Sequence, residues 1–193
     1  MKLVIFDLDG VLIDSMPHHK HAFDLAVNQV VGHSIDTKKL SGRPTKVILE
    51  ILVENNEITI EEMAVIAQLK KEYTDKYVET IEVNREIKKA LSNLRKMGYK
   101  LAVASNATKS FVEKVLKKLE ITDFFDSIHG HENFVPKPNP QMYTHIMKEL
   151  KISPEHTLIF EDSPVGLEAA FGSGANVCVV KNDLIEKIEE WLY

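Results

Sequence analysis

The sequence predicts an α/β fold in which helices flank a parallel sheet, and three observations support this prediction. The first is a four-residue run, residues 3–6, that is apolar on both faces, which is typical of a strand buried in a parallel sheet. The second is the alternation of further strand-like runs with helical patterns. The third is the polar residues that follow these runs, because open α/β sheets bind ligands at the carboxyl ends of their strands.

After the first strand, the chain is predicted to be helical up to about residue 80. We find no strand pattern between residues 15 and 80. Helices are predicted at residues 18–31, 45–53 and 60–77, and the last begins with a capping box formed by Thr59 and Glu62. We therefore expect a helical cap domain at residues 15–80 and a core domain at residues 1–14 and 81–193. A helical insertion at the carboxyl end of a strand can act as a lid.

The rest of the chain alternates between helices and strands. The helix predicted at residues 87–97 has one apolar face and is stopped by Gly98. Ser163 and Pro164 are suited to begin the helix that follows the fourth strand. The other predicted elements are a strand at 100–105, a helix at 111–119, a weaker strand at 125–129, a helix at 140–150 with Pro140 at its first position, and strands at 156–160 and 176–180.

The composition limits the possible functions. With 193 residues, 44% hydrophobic and 27% charged, the chain is long enough for one core and a small insertion. The formal net charge of -5 argues against nucleic-acid binding. The single cysteine, Cys178, excludes an internal disulfide, and its apolar neighbours predict a buried structural residue. No signal peptide or membrane-length apolar run is visible, so we expect no membrane association and a cytoplasmic location.

Two aspartates at the end of the first strand are the first candidates for chemistry. Asp7 and Asp9 would repel each other if both were ionised, so a divalent cation or a proton is expected beside one of them. Phosphoryl transfer through an aspartyl-phosphate could use one aspartate as the nucleophile and the other as proton donor and acceptor. A plain Asp-Gly turn explains the same residues equally well.

Three further polar groups follow predicted strands or lie in a stiff loop, and each has a structural alternative. Ser105 and Asn106 could hold phosphate oxygens or simply terminate a strand. Lys137 lies among three prolines and could pair with a carboxylate and a phosphate, or be solvated on a surface loop. Glu161 and Asp162 could supply oxygen ligands for Mg²⁺, or begin a helix whose dipole favours acids.

Together, these groups resemble the four signature motifs of the haloacid dehalogenase superfamily of phosphatases and phosphomutases. The matching stretches are DLDGVLIDS, VASNA, the lysine of KPNP and IFEDSPVG, which occur in the family's order and span residues 1 to about 180. The helical insertion resembles the cap of the beta-phosphoglucomutase-like and phosphoglycolate-phosphatase-like branch. The resemblance implies a Rossmann-like catalytic core with an inserted helical cap.

The resemblance implies a role for each matched residue. Asp7 would be the nucleophile, and Asp9 would be the general acid and base. Ser105, with Asn106, would hold the transferring phosphoryl group. Lys137 would bridge Asp7 and that group. Phosphoryl transfer depends mainly on positioning and charge neutralisation, which these residue types can supply.

The resemblance also implies a Mg²⁺ cofactor. Its ligands would be Asp7, the backbone carbonyl of Asp9 and Asp162, with Glu161 either as a ligand or as a partner of one. The expected reaction is therefore the Mg²⁺-dependent hydrolysis of a small-molecule phosphate monoester, of the sugar or a related class. Dehalogenation is not expected, because dehalogenases that look similar lack the second aspartate. The sequence does not indicate the oligomeric state.

Two alternatives stay open. A beta-phosphoglucomutase-like phosphomutase is suggested by His19, which lies where mutases of this branch carry a histidine, although His19 could equally belong to a solvated helix face. In the cap, Gly42 and Arg43 are candidate substrate-binding residues, but Thr45 stands where the mutases have an arginine for the distal phosphate. This difference favours a hydrolase. A non-catalytic protein that binds a phosphorylated ligand is the second alternative.

Overall fold

Five strands form a single parallel sheet. The computed structural model describes residues 2–40, 42–181 and 184–192. The strands are β1 (Leu3–Phe6), β2 (Lys100–Ala104), β3 (Ser127–His129), β4 (Thr157–Glu161) and β5 (Asn176–Val179). Their order across the sheet is β3-β2-β1-β4-β5, and every neighbouring pair is parallel. The predicted α/β fold is therefore confirmed.

Strand β1 lies at the centre of the sheet, and its four residues are fully buried. Phe6, its last residue, is in register with Val103 of β2 and Phe160 of β4. Because the three strands run parallel, Asp7, Ser105 and Glu161 lie at the same edge of the sheet. The topology thus brings together polar residues that are far apart in the sequence.

Helices account for most of the remaining chain. Those of the described residues are α1 (Met16–Val31), α2 (Thr45–Glu54), α3 (Ile60–Thr80), α4 (Arg85–Lys96), α5 (Lys109–Lys118), α6 (Gln141–Leu150), α7 (Pro164–Gly172) and α8 (Leu184–Leu192). The side chain of Ser163 accepts a hydrogen bond from the Gly166 N–H, and Pro164 is the first residue of α7, as predicted. None of these helices is long and apolar enough to cross a membrane.

Contacts within the chain divide it into two units, residues 1–14 with 82–193 and residues 15–81. The sheet and helices α4 to α8 belong to the first unit. In this unit α6 packs on the sheet through buried side chains that include Met142, Tyr143 and Ile146.

The second unit contains helices α1, α2 and α3 and, among its described residues, no strand. Its core is apolar and includes Phe23, Leu49 and Ile66. The predicted capping box begins α3. The Glu62 N–H donates to Thr59 Oγ1 at 3.2 Å, and the Thr59 N–H donates to Glu62 Oε2 at 2.7 Å.

The local details that differ from the expectations include the position of Pro140 and the burial of Cys178. Pro140 precedes α6 as its capping residue, and the helix itself begins at Gln141. Cys178 is half-buried and not buried, because β5 is an edge strand and has a neighbour on one side only. Neither difference affects the carboxyl end of the central strand, where Asp7 lies.

Candidate active site

A buried lysine connects the polar residues at the sheet edge. Lys137 is only 3% exposed. Its Nζ donates to Asp7 Oδ1 at 2.6 Å, to Glu161 Oε1 at 2.6 Å and to the carbonyl oxygen of Ala104 at 2.9 Å. These bonds use the three donors of the ammonium group. The alternative of a solvated surface lysine is therefore wrong.

Asn106 holds the backbone of this lysine in place. Its Oδ1 accepts from the Lys137 N–H at 2.9 Å, and its Nδ2 donates to the Lys137 carbonyl at 3.2 Å. The sequence resemblance suggested that Asn106 helps to bind phosphate. In the structure its side-chain amide contacts the backbone of the lysine loop, so it positions Lys137 relative to the strand end.

Glu161 accepts hydrogen bonds on both carboxylate oxygens. Besides Lys137, Oε1 accepts from the Tyr143 hydroxyl at 2.9 Å. Oε2 accepts from the backbone N–H groups of Asp162 and Ser163 and from Ser163 Oγ, at 2.9 to 3.3 Å. A carboxylate offers about four lone-pair positions, so five donors occupy this group fully. This arrangement favours Glu161 as a partner of the lysine.

Two residues of this arrangement were missed by the sequence reasoning. Tyr143 belongs to the buried face of α6, and its ring centroid lies 5.0 Å from Lys137 Nζ. Its place in an ordinary apolar helix face gave no signal of this contact. Gly166 lies in the first turn of α7, where an added Cβ would come within 1.9 Å of Glu161 Oε1. A glycine so early in a helix is a signal of close approach by a neighbouring group.

Charge is unevenly balanced in this cluster. Burial raises the pKa of Asp7 well above its usual value, and the nearby Glu161 and Asp9 add to this increase while Lys137 opposes it. Burial also raises the pKa of Asp162 to about 6, with a further contribution from Glu161. Burial alone would lower the pKa of Lys137, but Asp7 and Glu161 raise it overall, so the ammonium stays charged. Lys137 therefore bonds directly to two carboxyl groups, Asp7 and Glu161, and also opposes the increase in the pKa of Asp162.

The residues present fit a divalent cation. Asp162 Oδ1 is buried and has no hydrogen-bond partner in the described part of the chain. Carboxylate oxygens of Asp7, Glu161 and Asp162 lie within 4.8 Å of one another. Gly10 has a positive φ of 87°, and a Cβ there would lie 2.1 Å from Asp162 Oδ2, so only glycine lets this carboxylate approach. An all-oxygen donor set with excess negative charge is suited to a hard divalent ion.

Ser105 and Asp9 are the remaining residues that were predicted to bind phosphate or take part in catalysis at this end of the sheet. Ser105 is 1% exposed, and it follows Ala104, whose carbonyl binds the lysine. Ser105 Oγ accepts a hydrogen bond from the Ala107 N–H at 3.0 Å. Because this bond uses a lone pair of the oxygen, the Ser105 O–H can still donate to another group. Asp9 is half-buried, in a tight turn where its backbone forms a bridge with Ile13.

The predicted substrate-binding residues His19, Gly42 and Arg43 belong to the second unit, residues 15–81. His19 is half-buried, with its Nδ1 3.1 Å from Lys70 Nζ on α3. The neighbouring His18 is exposed, and its ring stacks on that of Tyr77 with a centroid distance of 3.7 Å. Arg43 is exposed, and it follows Gly42, which has a φ of 82°.

Comparisons with known proteins identify the family. The family model of haloacid dehalogenase-like hydrolases matches residues 4–180. The chain is 29% identical over 177 residues to the "phosphorylated carbohydrates phosphatase" of Thermotoga maritima, covering 90% of this chain and 82% of that protein. It is 31% identical over 192 residues to a phosphoglycolate phosphatase of Vibrio vulnificus, covering 90% and 81%.

A solved structure is similar over the whole chain. The beta-phosphoglucomutase of Clostridium difficile matches with a TM-score of 0.80 and 25% identity, covering 100% of this chain and 99% of that one. The match to the family model and the identity to curated phosphatases confirm the resemblance that the four motifs indicated.

Proposed function

The chain belongs to the haloacid dehalogenase-like hydrolase family, and we propose that it is a Mg²⁺-dependent phosphatase of small phosphorylated metabolites. The observation that carries this proposal is the buried hydrogen bond of 2.6 Å between Lys137 Nζ and Asp7 Oδ1. Hydrolysis of phosphate monoesters is among the slowest uncatalysed reactions. A fixed nucleophile beside a fixed positive charge supplies the positioning and charge neutralisation that this reaction requires.

In the first half of the proposed reaction, Asp7 is the nucleophile. Lys137 holds Oδ1, which leaves Oδ2 to attack the phosphorus atom. A bond forms between Oδ2 and phosphorus, and the bond between phosphorus and the ester oxygen breaks. Asp9, in its protonated form, donates its proton to the departing oxygen, which leaves as an alcohol. The product on the enzyme is an aspartyl-phosphate at Asp7.

In the second half, water hydrolyses this intermediate. Asp9, now a carboxylate, accepts a proton from the water molecule as its oxygen bonds to phosphorus. The bond between phosphorus and Asp7 breaks, which releases inorganic phosphate. Asp7 is again a carboxylate and Asp9 again carries a proton, so the cycle closes without any further reactant.

Ser105 is proposed to hold the phosphoryl group during both steps. Its buried hydroxyl can donate to a phosphoryl oxygen while its Oγ accepts from the Ala107 N–H. Lys137 brings the positive charge to the same place, and Asn106 fixes the backbone of the lysine. This division of roles explains why a serine, an asparagine and a lysine lie together at the carboxyl end of the sheet.

Mg²⁺ is the proposed cofactor. Asp7, Asp162 and the backbone carbonyl of Asp9 would hold it, and when bound it would neutralise charge between the nucleophile and the phosphoryl oxygens. The unpartnered Asp162 Oδ1 supports this assignment. Glu161 is proposed to orient Lys137, because five donors already occupy its oxygens.

The proposed substrate class is a sugar phosphate or a related small phosphate ester. The name of the Thermotoga maritima relative supports phosphorylated carbohydrates, and that of the Vibrio vulnificus relative supports a small phosphorylated acid. We further propose that residues 15–81 act as a cap and supply selectivity through His19, Gly42 and Arg43. A phosphomutase is not favoured, because Thr45 replaces the arginine expected for a second phosphate.

An assay of phosphate release tests the proposal. The purified chain is incubated with an aryl phosphate and a panel of phosphorylated metabolites, with Mg²⁺ or with EDTA. We expect Mg²⁺-dependent release of free phosphate, a loss of about 10³-fold or more in Asp7→Asn, and near-normal activity in the matched control Asp14→Asn. Phosphate that returns to a sugar would indicate a mutase. No release from any substrate would contradict an enzymatic function.

A further inference from the structure

A second cluster of metal-ligating side chains lies in the sheet-containing unit, separate from the acidic cluster around Asp162. It consists of His129, the last residue of the edge strand β3, and of His145 and Glu149 on α6. Residues four positions apart lie on the same face of a helix, so His145 and Glu149 both reach towards the strand. None of these three residues has a role in the proposed reaction.

The three side chains are close enough to share one ion. One donor atom from each lies within 4.8 Å of the others, and His129 Nε2 is 2.9 Å from Glu149 Oε2. A tetrahedral ion with bonds of about 2.1 Å needs donors about 3.4 Å apart. The side chain of Glu149 is 43% exposed and that of His129 is 17% exposed, so small rotamer changes can close the remaining gap.

Neighbouring residues hold these side chains in place. The Ser127 hydroxyl donates to Glu149 Oε2 at 2.7 Å, the same oxygen that lies 2.9 Å from His129 Nε2, and this bond fixes the orientation of the carboxylate. The ring of Phe134 packs edge-on against His129 at 5.3 Å and lies 5.0 Å from the ring of His145. A supporting hydrogen bond and an apolar wall beside the ligands are features of built metal sites. Exposed histidines that lie together by chance do not require either of them.

We propose that His129, His145 and Glu149 form a second metal site, which binds a divalent transition metal such as Zn²⁺. Two imidazoles and one carboxylate are a donor set that Zn²⁺ accepts, with a fourth position left for water. Mg²⁺ prefers oxygen ligands, so it is expected at the acidic cluster and not here. The two sites therefore differ in the metal that they select.

The position of this site connects it to the proposed phosphate-binding residue. The backbone carbonyl of His129 accepts a hydrogen bond from the Ser105 N–H at 3.1 Å. A metal ion that ties His129 to α6 would restrict the end of β3, and with it this hydrogen bond. Metal binding should therefore slow hydrogen exchange of the Ser105 amide, a consequence that holds whatever the reaction is.

The test is a calorimetric titration of Zn²⁺ into the zinc-free protein. Excess Mg²⁺ is present throughout, so that the acidic cluster around Asp162 is occupied by Mg²⁺. Wild type and the matched control His156→Ala, which lacks an exposed histidine elsewhere in the same unit, are expected to bind one equivalent. His145→Ala and Glu149→Gln are expected to bind at least about tenfold more weakly. Zn²⁺ should protect the Ser105 amide from exchange in wild type but not in His145→Ala.

Two results would overturn the proposal. One is the absence of Zn²⁺ binding at micromolar concentrations in wild type. The other is equal affinity in wild type, His145→Ala and Glu149→Gln, because the ion would then be held elsewhere. Both altered side chains are exposed, so folding can be checked by the melting temperature without metal. Phosphate release, if present, should be unchanged in these variants, which separates this proposal from the proposed function.

Discussion

Lys137 donates a hydrogen bond of 2.6 Å to Asp7, a residue 130 positions earlier in the chain. The lysine comes from a loop and the aspartate from the end of the central strand, and both are buried. A second bond of 2.6 Å links the same ammonium to Glu161. Because two buried carboxylates share this one ammonium, we expect the stability of the fold and the proposed chemistry to depend on the same contact.

Replacing the lysine should therefore damage both properties. In Lys137→Met, the carboxylates of Asp7 and Glu161 would lose their shared counter-charge, which should cost about 3–5 kcal/mol of unfolding free energy. Phosphatase activity should fall about 10²-fold or more, because a fixed positive charge is lost beside the phosphoryl group. Urea unfolding and steady-state kinetics measure the two effects. The exposed Lys148→Met on α6 is the control, and equal behaviour of both variants would contradict the role of Lys137.

The glycine beside Glu161 gives a second prediction. In Gly166→Ala, the new methyl group would lie within 1.9 Å of Glu161 Oε1 and displace the carboxylate. Such overpacking should cost about 1–3 kcal/mol and reduce activity through Lys137. Gly172→Ala in the same helix is the matched control, because its nearest contact would be an ordinary 3.5 Å to Pro140. If Gly166→Ala unfolds at the same urea concentration as Gly172→Ala, the packing argument fails.

Much of this fold could be predicted from the sequence because its signals are local. Strand β1 is apolar throughout. Four polar groups follow strands or lie in a stiff loop, and they occur along the chain in the same order as the motifs of a known family. The end of α3 was less predictable, since the helix runs to Thr80 and not only to residue 77. Helix ends depend on fraying and on tertiary packing, which leave weak traces in sequence.

The parts of the site that could not be predicted depend on tertiary contacts. Nothing in the sequence distinguishes Tyr143 from the other apolar residues of its helix face, because its hydroxyl meets Glu161 only after α6 packs on the sheet. The side-chain contact of Asn106 with the Lys137 backbone likewise depends on the path of a distant loop. The sequence therefore identified the chemical groups, while the structure shows which group supports which.

Asp162 should make the metal-free protein less stable as pH rises. Its pKa is about 6 in the folded protein, compared with an ordinary 3.8. Between these pH values the folded state holds the Asp162 proton more tightly than the unfolded state does. The stabilisation that this proton provides is fully present below pH 3.8 and is lost as pH rises through 6. Asp162→Asn should remove this loss and melt at a higher temperature than wild type in EDTA at pH 7.

Mg²⁺ should reverse the order of the melting temperatures of wild type and Asp162→Asn. Adding Mg²⁺ at pH 7 should raise the melting temperature of wild type but hardly that of Asp162→Asn, because the variant lacks a ligand. The difference between the two metal-free proteins should become small at pH 4. Thermal melts over this pH range, with and without Mg²⁺, measure both effects. Equal stabilisation of the two proteins by Mg²⁺ would remove Asp162 from the proposed metal site.

Arg43 provides a test of the proposed cap. Arg43→Ala should raise KM for sugar phosphates about tenfold or more, as expected for the loss of a charged hydrogen bond. KM for a small aryl phosphate should change much less, because that substrate has no sugar group to bind. Lys46→Ala, an exposed cation in the same unit, is the control. Equal changes for both substrates would deny that Arg43 contributes to selectivity.

The most direct test of the central proposal is to trap the phosphorylated enzyme. The chain is mixed with substrate and Mg²⁺, quenched in acid within one turnover, and digested for mass spectrometry. We predict one phosphoryl group on the peptide that contains Asp7, and none in Asp7→Asn. A phosphoryl group on another residue, or full turnover by Asp7→Asn, would contradict the proposed mechanism.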